Sequence, residues 1–447
     1  MAKQVSKKKV DEAIEQLDGV RKSWLRRPGV TGVDVGYKIS GEKLTDELAI
    51  RVHVERKLPT EALEDHEVFS VSGKTEKLGS FPIDVIEASY GPSQVTAPAE
   101  LEDLVGLERT TRFDPLIGGI SVGNPRVTAG TLAAIVFDRT DCSVCMLSNW
   151  HVLAGADAAV AGESIFQPGV ADGGTSADTV ATLRRFRLDA DMDAAIARLN
   201  GVRGHTRDII GLNPIPGIET PALGMNVTKS GRTTGVTQGV IDGISWSGTI
   251  NYQNHGPNTF HDQIHIVPRP PWPAVDYEVS RGGDSGSAWI NEATGRAVGL
   301  HFAGETDPAP ASENALANPM HKVAASTGLN FSFTPLFFCP RPKPVWRDFP
   351  KSIVSDIPPK ALISDLPPKT LLDPIKLPGL DGSLPFDPLA PVVRPGGAVP
   401  FAFATPHHFG EQSASGGEGG GQPGLEELDA LIEHYQALRD RMAGEQG

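Results

Sequence analysis

Three residues far apart in the chain carry the side chains of a nucleophile, a base and an orienting carboxylate. Ser285 lies in the run Ser280–Ser287, S-R-G-G-D-S-G-S, between glycines and directly after Asp284. Such a run presents a hydroxyl on a tight loop. A serine hydroxyl is a weak nucleophile alone and needs an adjacent base. His151, in L-S-N-W-H-V-L (Leu147–Leu153), could supply it, and Asp193, in D-M-D-A-A-I-A-R-L (Asp191–Leu199), could orient that base. Gly283 has no side chain, so its N–H can turn inward beside that of Ser285. Two such donors form an oxyanion hole for a tetrahedral intermediate. The chemistry these groups suit is acyl transfer, with no metal and no cofactor.

The order along the chain is His, Asp, Ser, which is the chymotrypsin order and differs from those of subtilisins and α/β-hydrolases. The separations, 42 and 92 positions, are close to the roughly 45 and 90 of chymotrypsin-type triads. Position 287 is Ser, so the G-x-S-x-G elbow of α/β-hydrolases is absent. With S-N-W-H-V, D-A-A-I-A and G-G-D-S-G-S, the chain resembles the trypsin/chymotrypsin-fold serine proteases, in the manner of bacterial trypsin-like peptidases. The stretches G-G-I-S-V-G-N from Gly118, K-S-G-R-T-T-G-V from Lys229 and G-L-H-F-A-G from Gly299 are also similar to relatives of the plant NARROW LEAF proteins. The resemblance covers about Phe113 to Pro335. It implies a mostly β protein with two barrels and a cleft between them, His151 and Asp193 coming from the first barrel and Ser285 from the second. Asp191 rivals Asp193, but Asp193 directly precedes the A-A-I-A run, as in the family motif.

The resemblance also bears on specificity. Trypsin selects basic residues with an aspartate six positions before the nucleophile, and here that position is Val279. Glutamate-specific relatives carry a histidine in the strand after the nucleophile loop and a hydroxyl residue five before the nucleophile. Here those are His301 and Ser280, in a pocket also lined by Phe302, Ala303 and Gly304. An imidazole N–H and a hydroxyl are suitable donors to a carboxylate or carboxamide. Two readings stay open: a preference for Glu, Asp or Gln before the scissile bond, or a pocket for small apolar groups with His301 structural. The run L-I-G-G-I from Leu116 is like the new terminus of an activated zymogen, whose amine would pair with Asp284. Asp114-Pro115 precedes it, not a basic cleavage site, so a simple first strand is expected and no cleavage there.

Composition narrows the partners. In 447 residues, 55 acidic groups face 41 basic ones, a balance that repels phosphate backbones and disfavours nucleic acid. No apolar run reaches the roughly 18 residues needed to span a membrane. The basic N-terminus runs into D-E-A-I-E-Q, not an apolar segment, so no secretory signal is read. Three cysteines, an odd number, suit a reducing compartment. Together these point to the cytoplasm. Cys142 and Cys145 form C-S-V-C before the His151 stretch, but a lone C-x-x-C lacks the second pair of a zinc site, and Cys339 has no evident partner. The histidines His255, His261 and His265 lack the H-E-x-x-H arrangement, and on a strand positions four apart do not converge.

Around the catalytic blocks, residues 1–92 read as a small α+β domain. A helix over 6–27 places Val10, Ile14, Leu17 and Trp24 on one face, with Ser6 as N-cap and Pro28-Gly29 as stop. Val33, Val35, Tyr37 and Ile39, then Leu48, Ile50, Val52 and Val54, alternate as a hairpin, and Phe81, Ile83 and Val85 as a further strand. His53 falls on the polar face and is expected in solvent. A linker is expected over 93–112, beginning within G-P-S-Q-V-T-A-P-A-E from Gly91. The protease domain, 113–335, divides into barrels at about 113–215 and 222–335. Beyond it, 336–424 form a Pro/Gly-rich arm in which K-S-I-V-S-D-I-P-P is followed by K-A-L-I-S-D-L-P-P, too proline-dense for helices or central strands. Residues 425–444 read as an amphipathic docking helix.

The function expected is an intracellular endopeptidase of narrow specificity acting on a protein or peptide. Its arm or terminal helices would engage a regulatory partner. Bacterial peptidases of this type include enzymes that cut a partner protein in phage defence. The alternative is a non-catalytic scaffold on a protease fold, since fold does not imply function.

Overall fold

The computed structural model describes residues 5–40, 43–58, 77–93, 109–270, 278–305 and 313–331. All lie within one compact unit, Met1–Phe349. The arm expected over 336–424 and the helix expected over 425–444 fall outside the described residues.

Helix α1 (Lys7–Trp24) starts at Ser6, whose hydroxyl accepts from the Lys9 N–H at 3.4 Å. Val10, Ala13, Leu17 and Trp24 line its buried face. They pack on the odd positions of β1 (Val30–Ser40) and the even positions of β2 (Lys43–Val54), including Val33, Val35, Tyr37, Leu48, Ile50 and Val52. The two strands form an antiparallel hairpin, and β3 (Phe81–Glu87) runs parallel to β2. A short strand, β4 (Tyr90–Pro92), follows.

The first barrel contains β5 (Ala134–Asp138), β6 (Val144–Ser148), the one-turn helix α2 (Trp150–Leu153), β7 (Ser164–Phe166), β8 (Thr179–Leu188) and β9 (Asp193–Leu199). Its sheet runs β7-β8-β9-β6-β5. Leu132, Ile135, Met146, Ile165, Leu183 and Ala195 are part of its core. The second barrel contains β10 (Asn226–Gly231), β11 (Gly235–Tyr252), β12 (Gly256–Pro268), β13 (Ala288–Asn291), β14 (Ala297–Glu305) and β15 (Ala315–Pro319). The order β10-β13-β14-β15-β12-β11 closes through pairing of β10 with β11. Helix α3 (Met320–Thr327) and β16 (Leu329–Asn330) return the chain to β5 of the first barrel. The molecule is thus a chymotrypsin-like double β-barrel. The segment between the barrels, near Gly211–Ala222, is largely irregular.

Strand β11 is long. Its first half pairs with β10, and on the same edge Gly243–Gly248 would lack a partner. Strand β1 takes that place, with Gly36 opposite Gly243 and Gly32 opposite Gly248. An open strand edge is a site of unwanted pairing, and β1 covers it. The helix and strands expected over 1–92 are therefore hydrogen-bonded into the sheet of the second barrel.

This junction corrects two expectations. His53 is fully buried, not in solvent. The face of the hairpin that carries polar residues is turned against the barrel, so Asp34, Arg51 and His53 meet Asp242 and His265 instead of water. Arg51 donates from Nε to Asp34 Oδ1 at 2.7 Å and from its terminal nitrogens to Asp34 and to Asp242, the latter at 2.5 Å. His265 Nδ1 lies 2.6 Å from Asp242 Oδ1, and His53 Nε2 lies 3.2 Å from Asp34 Oδ1. Burial drives the His53 imidazole down to about 4 against the pull of Asp34, so it is neutral. Gly243 is required here, because a Cβ would stand 2.0 Å from an Arg51 nitrogen. The second correction concerns Gly91 and Pro92, expected at the start of a linker. They lie in β4, paired with β14.

One buried arginine balances two buried carboxylates, and removing one member of such a group typically costs about 3–5 kcal/mol. Arg51→Met in the full chain should lose about that much stability in urea denaturation. Adding Asp242→Asn should recover part of the loss.

Candidate active site

Ser285, His151 and Asp193 come from three elements, and all three are buried. Asp193 opens β9, where its N–H donates to Asn318 Oδ1 at 3.0 Å and its carbonyl accepts from Asn149 Nδ2 at 2.7 Å. His151 lies not on a strand but on α2, the turn that follows β6. This turn aims the ring at β9. His151 Nδ1 is hydrogen-bonded to Asp193 Oδ2, and the His151 N–H donates to Asp193 Oδ1 at 3.2 Å. The Tyr252 hydroxyl, from the end of β11, also donates to Asp193 Oδ2 at 2.7 Å. Tyr252 lies in a bland alternating strand, and no local motif marks it. Asp191 is half exposed and pairs with Arg187 at 3.8 Å. His151 Nε2 is buried and has no hydrogen-bond partner. The Ser285 hydroxyl donates instead to the Phe302 carbonyl at 3.2 Å.

The loop carrying Ser285 is tied to both barrels. Thr131 of the first barrel donates from Oγ1 to the Gly283 carbonyl at 2.8 Å and from its N–H to the Ser285 carbonyl at 2.7 Å. On the other side the Gly286 N–H donates to the His301 carbonyl at 2.9 Å. Gly286 has φ +95°, and a Cβ there would meet Ser148 Oγ at 2.1 Å and Thr131 O at 2.3 Å. Only glycine fits both the backbone conformation and the space.

Asp284 explains why the loop holds this shape. Its carboxylate accepts from Lys229 Nζ at 2.9 Å, from the Thr234 hydroxyl at 2.6 Å, and from the N–H groups of Thr233, Thr234 and Arg281 at 2.9, 3.1 and 3.1 Å. Burial raises its pKa, but Lys229 and the Thr234 hydroxyl outweigh burial and hold it down at about 2. The cation that a zymogen would gain from a new N-terminus is here supplied by Lys229. Leu116 is buried in a short strand, Leu116–Gly118, as the sequence suggests. The R-T-T-G turn after Gly231 serves as the cradle for Asp284.

The expected pocket residues lie together on β14 and the start of the loop. Ser280, His301, Phe302 and Ala303 are all buried. The Phe302 ring packs on Phe260 with centroids 4.8 Å apart. Gly304 keeps space open: a Cβ there would lie 3.0 Å from Ser280 Oγ and 3.5 Å from Ser93 Oγ. Burial lowers His301 to about 3, reinforced by the Lys229 charge, so its imidazole offers a hydrogen bond without a charge. His301 Nε2 is 3.1 Å from the Ser93 hydroxyl. Ser93 also places its carbonyl 2.7 Å from the Gly283 N–H. Nothing in the sequence around Ser93 marks it for this position.

Other candidates do not assemble. His255 pairs with Asp157 and His265 with Asp242, while the His261 N–H donates to Ala190 O at 2.7 Å. Cys145 is a buried free thiol, and Cys142 and Cys145 are not bonded to each other.

No family model and no curated protein matches the chain. Solved structures do. Protease A of Thermobifida fusca matches at 18% identity with a TM-score of 0.35, over 48% of this chain and 96% of its own. A glutamic acid specific serine protease, described as using a histidine triad in substrate binding, matches at 19% and 0.36, over 48% and 99%. The Rv3671c protease of M. tuberculosis, in its active form, matches at 20% and 0.30, over 52% and 86%. These neighbours are chymotrypsin-like serine proteases. At such identities and TM-scores the likeness assigns no residue here a role.

Two consequences can be measured. Lys229→Met strands a buried carboxylate and should destabilise the protein by about 3–5 kcal/mol, seen as a lower urea midpoint. The pH dependence follows from His53 and His301, whose folded values of about 4 and 3 lie below the ordinary 6.5. The unfolded chain protonates these rings first, so their contribution is complete above about pH 6.5 and is lost as pH falls toward 4. Thermal melts across that range should show Tm falling with pH, less steeply in His301→Gln.

Proposed function

We propose that the chain is a serine endopeptidase in which Ser285 attacks a peptide carbonyl, His151 moves the proton and Asp193 orients His151. The observation that carries this reading is the Gly283 N–H, already donating to a peptide carbonyl at 2.7 Å beside Ser285. Donors at 2.7–3.1 Å from the oxygen that becomes the oxyanion are the geometry such chemistry needs. In the first step the Ser285 hydroxyl leaves the Phe302 carbonyl and turns to His151 Nε2. His151 accepts its proton as the Ser285 oxygen bonds to the carbonyl carbon. Asp193, held by Tyr252 and the His151 N–H, keeps the other ring nitrogen protonated and steadies the imidazolium. The N–H groups of Gly283 and Ser285 receive the oxyanion. His151 then protonates the departing amine, and a water molecule releases the acyl group by the same route.

The pocket formed by Ser280, His301 and Gly304 takes a neutral, hydrogen-bonding residue before the scissile bond, with Gln ahead of Glu or Asp. A neutral imidazole donates a hydrogen bond but does not repay the desolvation of a carboxylate. The reading extends to an enzyme of the cytoplasm that processes a protein partner and is restrained until needed, with a site whose nucleophile is covered. The competing reading, a scaffold on a protease fold, would leave the biological effect of the chain intact in Ser285→Ala.

Fluorophosphonate labelling tests the nucleophile: wild type should label slowly, at the rate the covered cleft opens, and Ser285→Ala and His151→Ala should not. Peptidase activity should fall on the order of 10⁶-fold in Ser285→Ala. Tyr252→Phe removes one hydrogen bond to a charged group, worth about 1.5–3 kcal/mol, and should lower kcat by about tenfold or more with KM little changed. A peptide library cut mainly after Leu or Val would refute the polar pocket.

A further inference from the structure

The cleft is occupied by the chain itself. Strand β4 lies antiparallel on β14, with Tyr90 opposite Glu305, Gly91 opposite Gly304 and Pro92 opposite Ala303. The next residue continues the pattern, because the Ser93 N–H donates to the Phe302 carbonyl at 3.3 Å. Adding a strand to a sheet edge is a general way to hold a peptide, main-chain bonds giving affinity and pockets giving selectivity. Here the added strand ends at the reacting groups. The Ser93 side chain enters the pocket, its hydroxyl 3.1 Å from His301 Nε2. The Ser93 carbonyl accepts the Gly283 N–H at 2.7 Å. The Phe302 carbonyl that accepts the Ser93 N–H also accepts the Ser285 hydroxyl, so Ser93 and Ser285 share one acceptor.

The segment is held from its other end. The Tyr90 hydroxyl is 2.6 Å from His53 Nδ1, and its ring meets Trp246 edge-on with centroids 5.1 Å apart. The junction of β1, β2 and β11 thus delivers Tyr90–Ser93 into the cleft. A structural loop would need its polar groups satisfied, but not a carbonyl on the oxyanion donor and a side chain in the specificity pocket together.

Resting on the protease reading above, we propose that the chain is its own substrate and cuts the bond between Ser93 and Gln94. The Ser285 oxygen bonds to the Ser93 carbonyl carbon, and the bond from that carbon to the Gln94 nitrogen breaks. The proton lost by Ser285 passes through His151 to the Gln94 nitrogen, which leaves as a new N-terminal amine. Water then hydrolyses the ester, giving a Ser93 carboxylate and restoring the Ser285 hydroxyl. The two pieces stay together after the cut, because β1 remains paired with β11. Ser93 is itself a neutral, hydrogen-bonding residue, as that pocket takes.

Intact-mass spectrometry of the purified full chain tests this, with wild type, Ser285→Ala and Ser93→Arg, the last placing a bulky charge in the buried pocket. Wild type should give two fragments, residues 1–93 and 94–447, that co-elute in native gel filtration and separate in denaturant. Both variants should remain whole, and the rate in wild type should not depend on protein concentration. A wild type that stays whole overturns the proposal, as does a cut elsewhere or a cut that persists in Ser285→Ala. Fluorophosphonate labelling of the same samples separates the two claims. A whole wild type or Ser93→Arg chain labelled at Ser285 would leave the protease reading standing, whereas whole and unlabelled chains throughout would remove both.

Discussion

The buried ion pair between Lys229 and Asp284 is the constraint on which the site rests. Asp284 has no access to water, so its charge must be met inside the protein, and five donors converge on it. Each donor fixes a neighbouring backbone: the turn at Thr233 and Thr234 on one side, the nucleophile loop at Arg281 on the other. With both ends of the loop set, Gly283 and Ser285 have little freedom. A buried pair of this kind is weak evidence for extra stability, but it specifies one loop conformation where an apolar pair would permit several. The charge comes from within the chain, so this part of the site is complete without a new N-terminus at Leu116.

A second buried charge network does comparable work at the opposite edge. Arg51 between Asp34 and Asp242 joins the N-terminal hairpin to the second barrel. Hydrophobic contact alone, between helix α1 and the other face of the hairpin, would not set its register on β11. The network does, because a slip of one residue turns Arg51 and His53 to the wrong face. That register is what places Tyr90, and through it Ser93, on β14. Under the proposed function the two networks meet: one shapes the loop with the oxyanion donors, the other would deliver a peptide to it.

The resulting site is closed. Ser285, His151 and Asp193 are all buried, and the groups that would receive a substrate already receive the chain. The Tyr252 hydroxyl and the Asn149 and Asn318 amides surround Asp193 with hydrogen bonds, so the imidazole it holds has one settled orientation.

The residues proposed to react were legible as candidates in the sequence because each sits in a short local pattern: a glycine-flanked serine, a histidine after an apolar run, an aspartate before one. So were helix α1, the hairpin and the many short strands, since periodicity is a local property. Periodicity reports which residues share a face, not what covers that face. His53 and Arg51 alternate with apolar residues as solvent-facing groups would, and only the packing of β1 against β11 decides that they are buried. Tyr252 reaches Asp193 across 59 positions, and Ser93 reaches His301 across 208. Neither belongs to a pattern with its partner, so neither role could be read from the chain. The amino-acid sequence by itself determined the candidate reacting groups and the strands near them. The tertiary structure decided what surrounds those groups and what fills the cleft, because pairing at a sheet edge depends on which edge remains open once both barrels have formed.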